Sequence, residues 1–117
     1  SDLPARLRAL FDETVRAVEV ANDRRGCFLC NAAVDQAVHD PDVAKIVSEA
    51  MNVARGAIDV AIKACGPTDA NADGVLAAFL GMRVLAKSGA DLASLKAARD
   101  NALLPFRGEA AAHFVLK

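Results

Sequence analysis

Apolar residues recur at helical spacing through most of this chain. Leu3, Leu7, Leu10, Phe11, Val15 and Val18 fall on one side of a 3.6-residue repeat, with Arg6, Arg8, Asp12, Glu13 and Arg16 largely opposite. That spacing predicts an amphipathic helix over residues 3–21. The polar run Asn22-Asp23-Arg24-Arg25-Gly26 ends it, and a second helix is expected over residues 27–38. Asp40-Pro41 then sets an N-cap acceptor before a proline at the first helical position, with Asp42 in the positive first turn, the strongest helix start in the chain. The third helix continues to residue 65 through Val43, Ile46, Val47, Ala50, Ala54, Ala57, Ile58 and Ala61, and Gly66-Pro67 terminates it.

A polar loop over residues 68–71 leads into a fourth helix, expected over residues 72–87, that is apolar nearly all round between Val75 and Ala86. Such a helix must be covered on more than one side. Five short helices cannot easily do that within one protomer, so the pattern asks for a partner surface; the alternative is a helix at the centre of a monomeric core. Ser88-Gly89 ends it. Asp91 caps a fifth helix over residues 92–104, striped with Leu92, Leu95, Ala98, Arg99, Ala102 and Leu103, and Pro105 stops it. Residues 1–104 read as one all-α domain, a five-helix antiparallel bundle, with 105–117 as a tail. There is no internal repeat and no strand signal longer than a few residues.

Composition narrows the functional classes. With 117 residues, of which 54% are hydrophobic, the chain can bury about two-thirds of its unfolded surface and is not a disordered segment. The longest apolar run, Val75 to Met82, ends at Arg83, far short of the roughly 18 residues a membrane span needs. No signal-peptide pattern opens the chain, so a cytoplasmic location is expected. A net charge of −1, with 14 Lys and Arg against 15 Asp and Glu, gives little means of neutralising phosphates. Five Phe with no Trp or Tyr offer few stacking platforms for single strands. The abundant Ala favours helix and either lets helices approach closely or leaves gaps between them.

Two stretches carry more than periodicity. Residues 26–41, GCFLCNAAVDQAVHDP, follow a pattern of Gly-Cys, two apolar residues, then Asn, Ala and an acid two apart, closing on His-Asp-Pro and an acid. Residues 81–91, GMRVLAKSGAD, follow Gly-apolar-Arg-Val-Leu-Ala-basic-x-Gly-Ala-Asp. Together, in this order and spacing, they resemble the C-terminal regulatory domain of TetR/AcrR-like transcriptional repressors over roughly residues 3–104. The resemblance implies that the last two helices pair with their symmetry mates as a dimeric four-helix bundle, with Leu76, Leu80, Arg83, Val84, Lys87, Leu92, Leu95, Arg99 and Leu103 as the expected seam. It also implies a cavity among the remaining helices for a small hydrophobic effector, with Phe11, Val15, Cys30, Asn31, Val34, Met51, Ala54, Ile58, Phe79 and Met82 as expected lining. The family's DNA-binding helix-turn-helix has no counterpart in these residues, which open inside an amphipathic helix. Truncation is the expected account, and operator DNA would be met only through that missing part.

Candidate chemistry beyond this is sparse. Cys27 and Cys30 form a CxxC at a helix start, where the dipole lowers a thiol pKa. A zinc site would need two further ligands that neither Cys65, His39 nor His113 supplies at close spacing, and packed, reduced thiols are the expectation. Asn31 sits amid apolar neighbours, so its amide should bond a helix terminus or meet an effector. Arg83 poses the same question, with a rim ion pair or a contact across the seam expected. His39 follows Asp35 by four residues and Glu109 precedes His113 by four, without a nucleophile, a second carboxylate cluster or a phosphate loop beside them. No cofactor, metal or catalytic role is therefore expected. The leading function is effector sensing and homodimerisation within a one-component transcriptional regulator; the other reading is a free-standing helical dimerisation or small-molecule carrier module.

Overall fold

A computed structural model describes residues 2–24 and 28–106; the side chains of residues 2–4, 28–30 and 34 lie outside that description. The helices are α1 (Asp2–Ala21), α2 (Phe28–Asp35), α3 (Pro41–Ala64), α4 (Ala72–Lys87) and α5 (Leu92–Leu103), followed by one 3₁₀ turn, Leu104–Phe106. The fold is all-α, with no strand among the described residues. Cys27 and the tail positions Gly108, Glu109 and His113 lie outside them.

Local chemistry sets most of the boundaries. The Asp40 carboxylate accepts from the Asp42 and Val43 N–H groups at 2.9 and 3.4 Å, Asn71 from Gly74 at 2.8 Å and Asp91 from Ser94 at 2.8 Å. The hydrogen bond from Ser94 holds the Asp91 carboxyl below its usual pKa, with the nearby Arg24 charge adding to it. At the other ends, Asn22 takes φ +48, and Gly66 and Gly89 take φ +96, the left-handed conformation that stops a helix. After α4, Gly89 N–H returns to the Ala86 carbonyl and Ala90 N–H to that of Leu85, which satisfies two terminal acceptors.

The second helix is shorter than its apolar spacing suggests, stopping at Asp35 rather than at residue 38. There the Ala37 N–H skips back to the Ala32 carbonyl, and the His39 and Asp40 N–H groups both bond the Gln36 carbonyl. The chain closes into a turn that delivers Asp40 to its cap, leaving Val38 exposed.

The core forms where α1, α4 and α5 meet. Phe11, Met82 and Leu95, one from each, are the largest fully buried side chains. Leu7, Val15 and Val18 of α1, Ile58 and Ile62 of α3, Ala72, Val75, Leu76 and Ala86 of α4, and Leu103 and Phe106 complete the cluster. Ion pairs give the relative directions. Asp12 meets Arg99 and Glu19 meets Lys96, so α5 runs against α1. Phe11 meets Phe79 and Glu13 meets Arg83, so α4 runs with α1. Helix α2 packs on α3.

Arg24 ties these parts together. Its guanidinium donates to the carbonyls of Ala86 at 3.1 Å and Ala90 at 2.6 Å, closing the C-terminal end of α4 from the segment after α1. A cation there meets both the free carbonyls and the negative end of the helix dipole. Replacing it by Met keeps the apolar stem and removes the donors, so Arg24→Met should cost about 1–2 kcal/mol of stability in urea unfolding followed by circular dichroism. An unchanged midpoint would mean that water replaces the guanidinium without loss.

Candidate functional site

The expected effector lining divides in the structure. Phe11, Val15, Ile58 and Met82 are buried together in the core, and Met51, Ala54 and Phe79 are half-buried against it. The Phe11 and Phe79 rings meet edge to face, 6.0 Å between centroids at 86°. Asn31 stands apart at the contact of α2 with α4, where its carbonyl accepts from Lys87 Nζ at 2.9 Å. The Cys30 and Val34 side chains lie outside the description.

Between α1 and α3 runs an apolar groove of about 370 Å³, lined by Leu7, Leu10, Ala57, Ile58 and Ala61 with Arg6 at its edge. Of the expected lining residues whose side chains are described, Ile58 alone contributes to it. Leu10 and Ala61 were legible as apolar stripe residues, but which side of each stripe a neighbour would leave open depends on the helix crossing. The exposed side of α1 carries a second, more polar groove of about 700 Å³ that includes Asp12, Glu13, Arg16 and Val20.

Arg83 lies beside the Phe11–Phe79 contact. Its guanidinium carbon stands 4.9 Å from the Phe79 ring centroid, over its face. Its side chain is only 20% exposed, and its counter-ion is Glu13 at a long 3.8 Å, itself 71% exposed. The Arg83 Nε–H is buried without an acceptor, and the Thr14 hydroxyl, next in sequence to Glu13, is buried without a partner as well. The sequence left Arg83 between a rim ion pair and a contact across the seam, and within the protomer it meets Glu13; Thr14 carried no signal among the α1 core positions.

Within the protomer, the residues of the expected dimer seam take different places. Leu76, Leu95 and Leu103 are buried in the protomer's own core, because the stripe that carries them faces α1 rather than solvent. Leu80 and Leu92 are half-buried against that core. Arg99 is also committed within the protomer, donating to Asp12 and Asp100 at 2.9 Å each. Burial disfavours its charge, yet Asp100 and Asp12 outweigh that and raise its pKa. Arg83 and Lys87 reach Glu13 and Asn31 of the same chain. Val84 alone of the expected set is a strongly exposed apolar side chain, at 52%. The face that stays open on α4 is Ala77, Ala78, Gly81, Val84 and Leu85, with Ala97, Asn101 and Leu104 exposed after it in sequence. Ala77, Ala78 and Gly81 among them are small, Val84 and Leu85 are not, and periodicity alone had no means of ranking the two sides of an all-round apolar helix.

Five helices of this order and arrangement agree with the motifs at residues 26–41 and 81–91. The family model for the tetracycline repressor-like C-terminal domain matches residues 4–102. The chain belongs to that family. Domains of the TetR-like C-terminal family are regulatory, typically dimerise and bind small-molecule effectors, and are generally not enzymes. Comparison with curated proteins and with solved structures gave no match. Among the described residues no helix is long and apolar enough to cross a membrane, and no cluster of His, Cys, Asp and Glu could hold a metal ion. His39 is exposed in its turn, and Cys65 Sγ donates to the Ala61 carbonyl at 3.3 Å.

The placement of Arg99 generates a test. Arg99→Met leaves Asp12 without its short partner inside the protomer, and should lower unfolding stability by about 1–3 kcal/mol. If Arg99 acts within one chain, that loss is independent of protein concentration. A loss that grows as protein concentration rises, as a weakened association gives, would return Arg99 to the seam.

Proposed function

We propose that this domain senses a small hydrophobic effector and holds two copies of a one-component transcriptional regulator together, with operator DNA met by a helix-turn-helix outside this sequence. The observation that carries the reading is the two-sided α4. One side, Val75, Leu76, Met82 and Ala86, is buried against the protomer's other helices, while Ala77, Ala78, Gly81, Val84 and Leu85 remain exposed. A second copy related by a two-fold axis would cover that open side and build a four-helix bundle from α4 and α5 of each chain. Small residues there let the helix backbones approach closely.

This arrangement gives a route for coupling. The same helix that presents the open face makes the Phe11–Phe79 and Arg83–Glu13 contacts with α1 on another side. A ligand wedged beside α1 would bias the angle between α1 and α4, and with it the relative orientation of the two protomers. The ligand acts only as far as it binds one orientation better than the other. The apolar Leu7, Leu10 and Ala61 wall of the α1–α3 groove and the adaptable Met51 support a hydrophobic effector. A near-neutral domain charge supports the division of labour with a separate DNA-binding part.

Gly81 offers a clean test of the seam. A Cβ built on it meets nothing within 4 Å in the protomer. Gly81→Glu should therefore leave each chain folded, with a gain of up to about 1 kcal/mol in helix propensity. It should nevertheless set two like charges near the proposed two-fold axis. Sedimentation at tens of micromolar should show a dimer for the unaltered chain and a monomer for Gly81→Glu, with the same helical circular dichroism. A Gly81→Glu dimer as tight as the original, or an unaltered chain that is monomeric, would overturn this interface.

A further inference from the structure

We infer that the effector is an amphipathic acid whose carboxylate is received by Arg83 and the Thr14 hydroxyl; this rests on the effector-sensing reading above and specifies its ligand. Two polar groups on adjoining turns of α1 and α4 are left without partners. Thr14 is only 5% exposed and its hydroxyl has no hydrogen bond, and Arg83 Nε–H is buried with none. Each such group costs desolvation with nothing returned. The directions of the helices bring them to one level. Phe11 meets Phe79 and Glu13 meets Arg83, so Thr14 and Arg83 both lie about one helical turn beyond the aromatic contact.

Charge at this level favours an anion. Arg83 and Lys87 are four residues apart on the same stripe of α4, and such a like-charged pair is unfavourable on a helix by itself. Lys87 meets the neutral Asn31 carbonyl rather than a carboxylate in its 2.9 Å contact. The acid facing Arg83 is Glu13, at 3.8 Å and largely exposed, an ion pair of the loose, solvated kind that contributes little. Asp12 is engaged by Arg99 at 2.9 Å and Arg8 at 3.6 Å. Glu13 thus stands in for the ligand's carboxylate. An incoming acid would displace it into solvent, take the Nε–H and a terminal N–H of Arg83 in a two-point contact and accept from Thr14. The Phe79 face under the guanidinium holds that fork in plane. The apolar chain of the acid would lie against the half-buried aromatic and methionine side chains of the neighbouring core.

The test compares decanoate, methyl decanoate and decanol as probes by isothermal titration on the 117-residue chain. Decanoate should bind at least about tenfold more tightly than the ester or the alcohol, the size expected of hydrogen bonds to a charged group. Arg83→Gln should erase that preference while leaving ester and alcohol binding in place, and Thr14→Val should reduce it severalfold. Glu13→Gln removes the competing carboxylate on an exposed residue, and should tighten decanoate alone; it keeps the proposal testable if Arg83→Gln does not fold. Equal binding of acid, ester and alcohol, or no response of decanoate to Glu13→Gln and Thr14→Val, overturns the acid specificity while the hydrophobic-effector reading survives. Absence of binding by all three overturns both.

Discussion

The burial of Phe11, Met82 and Leu95 in one core is the constraint on which the rest of the bundle depends. Each comes from a different helix and each would contribute about 1.5–3 kcal/mol on leaving water, so α1, α4 and α5 cannot separate or slide without exposing a large side chain. Polar contacts around that core are placed by it and not the reverse. Arg99 reaches Asp12 because the core sets α5 against α1, and Arg24 reaches the end of α4 because α1 and α4 run in the same direction. Helices α3 and α2 add to this wedge. Ile58 and Ile62 dock α3 on it, while Ile46, Val53 and Val60 on the far side of the same helix stay exposed.

A helix that is core on one side and open on the other transmits what happens within the protomer to whatever covers it. In α4 the division is sharp: Met82 is 1% exposed and its neighbour Val84 is 52%. Interiors packed at crystal-like density do not absorb a displaced helix by compressing, so a shift of α1 against α4 has to reappear on the open face. In the effector-sensing reading proposed above, that division would couple ligand to subunit arrangement without a hinge.

The polar groups with unmet needs sit on that same α1–α4 contact and not in the wedge beneath it. Arg83 and Thr14 keep donors that the protein itself does not use, whereas Arg99, at similar burial, is fully engaged by two carboxylates. A stability-driven design would have removed the first two or paired them. In a bundle otherwise well capped at its helix ends, these two unmet donors support the proposed ligand contact at this place.

The family, the all-α class and the helix termini could be read from the sequence, because they rest on local chemistry: a 3.6-residue apolar period, Asp40, Asn71 and Asp91 with nearby amides to bind, and Gly66 and Gly89 where φ must be positive. The end of α2 could not, since Ala37 reaches Ala32 only once the turn into the Asp40 cap has formed. Nor could the sequence decide which side of α4 faces inward. Apolar residues occur all round that helix, and the choice between Leu76 and Gly81 as core is made by the space that α1 and α5 leave between them. For the same reason the burial of Leu95 and Leu103 in the protomer, the pairing of Arg99 with Asp12 87 positions away, and the unmet Arg83 Nε–H and Thr14 hydroxyl are visible only with α1, α4 and α5 packed together. Local propensity is written along the chain, whereas burial and pairing are properties of surfaces that exist only after the helices pack.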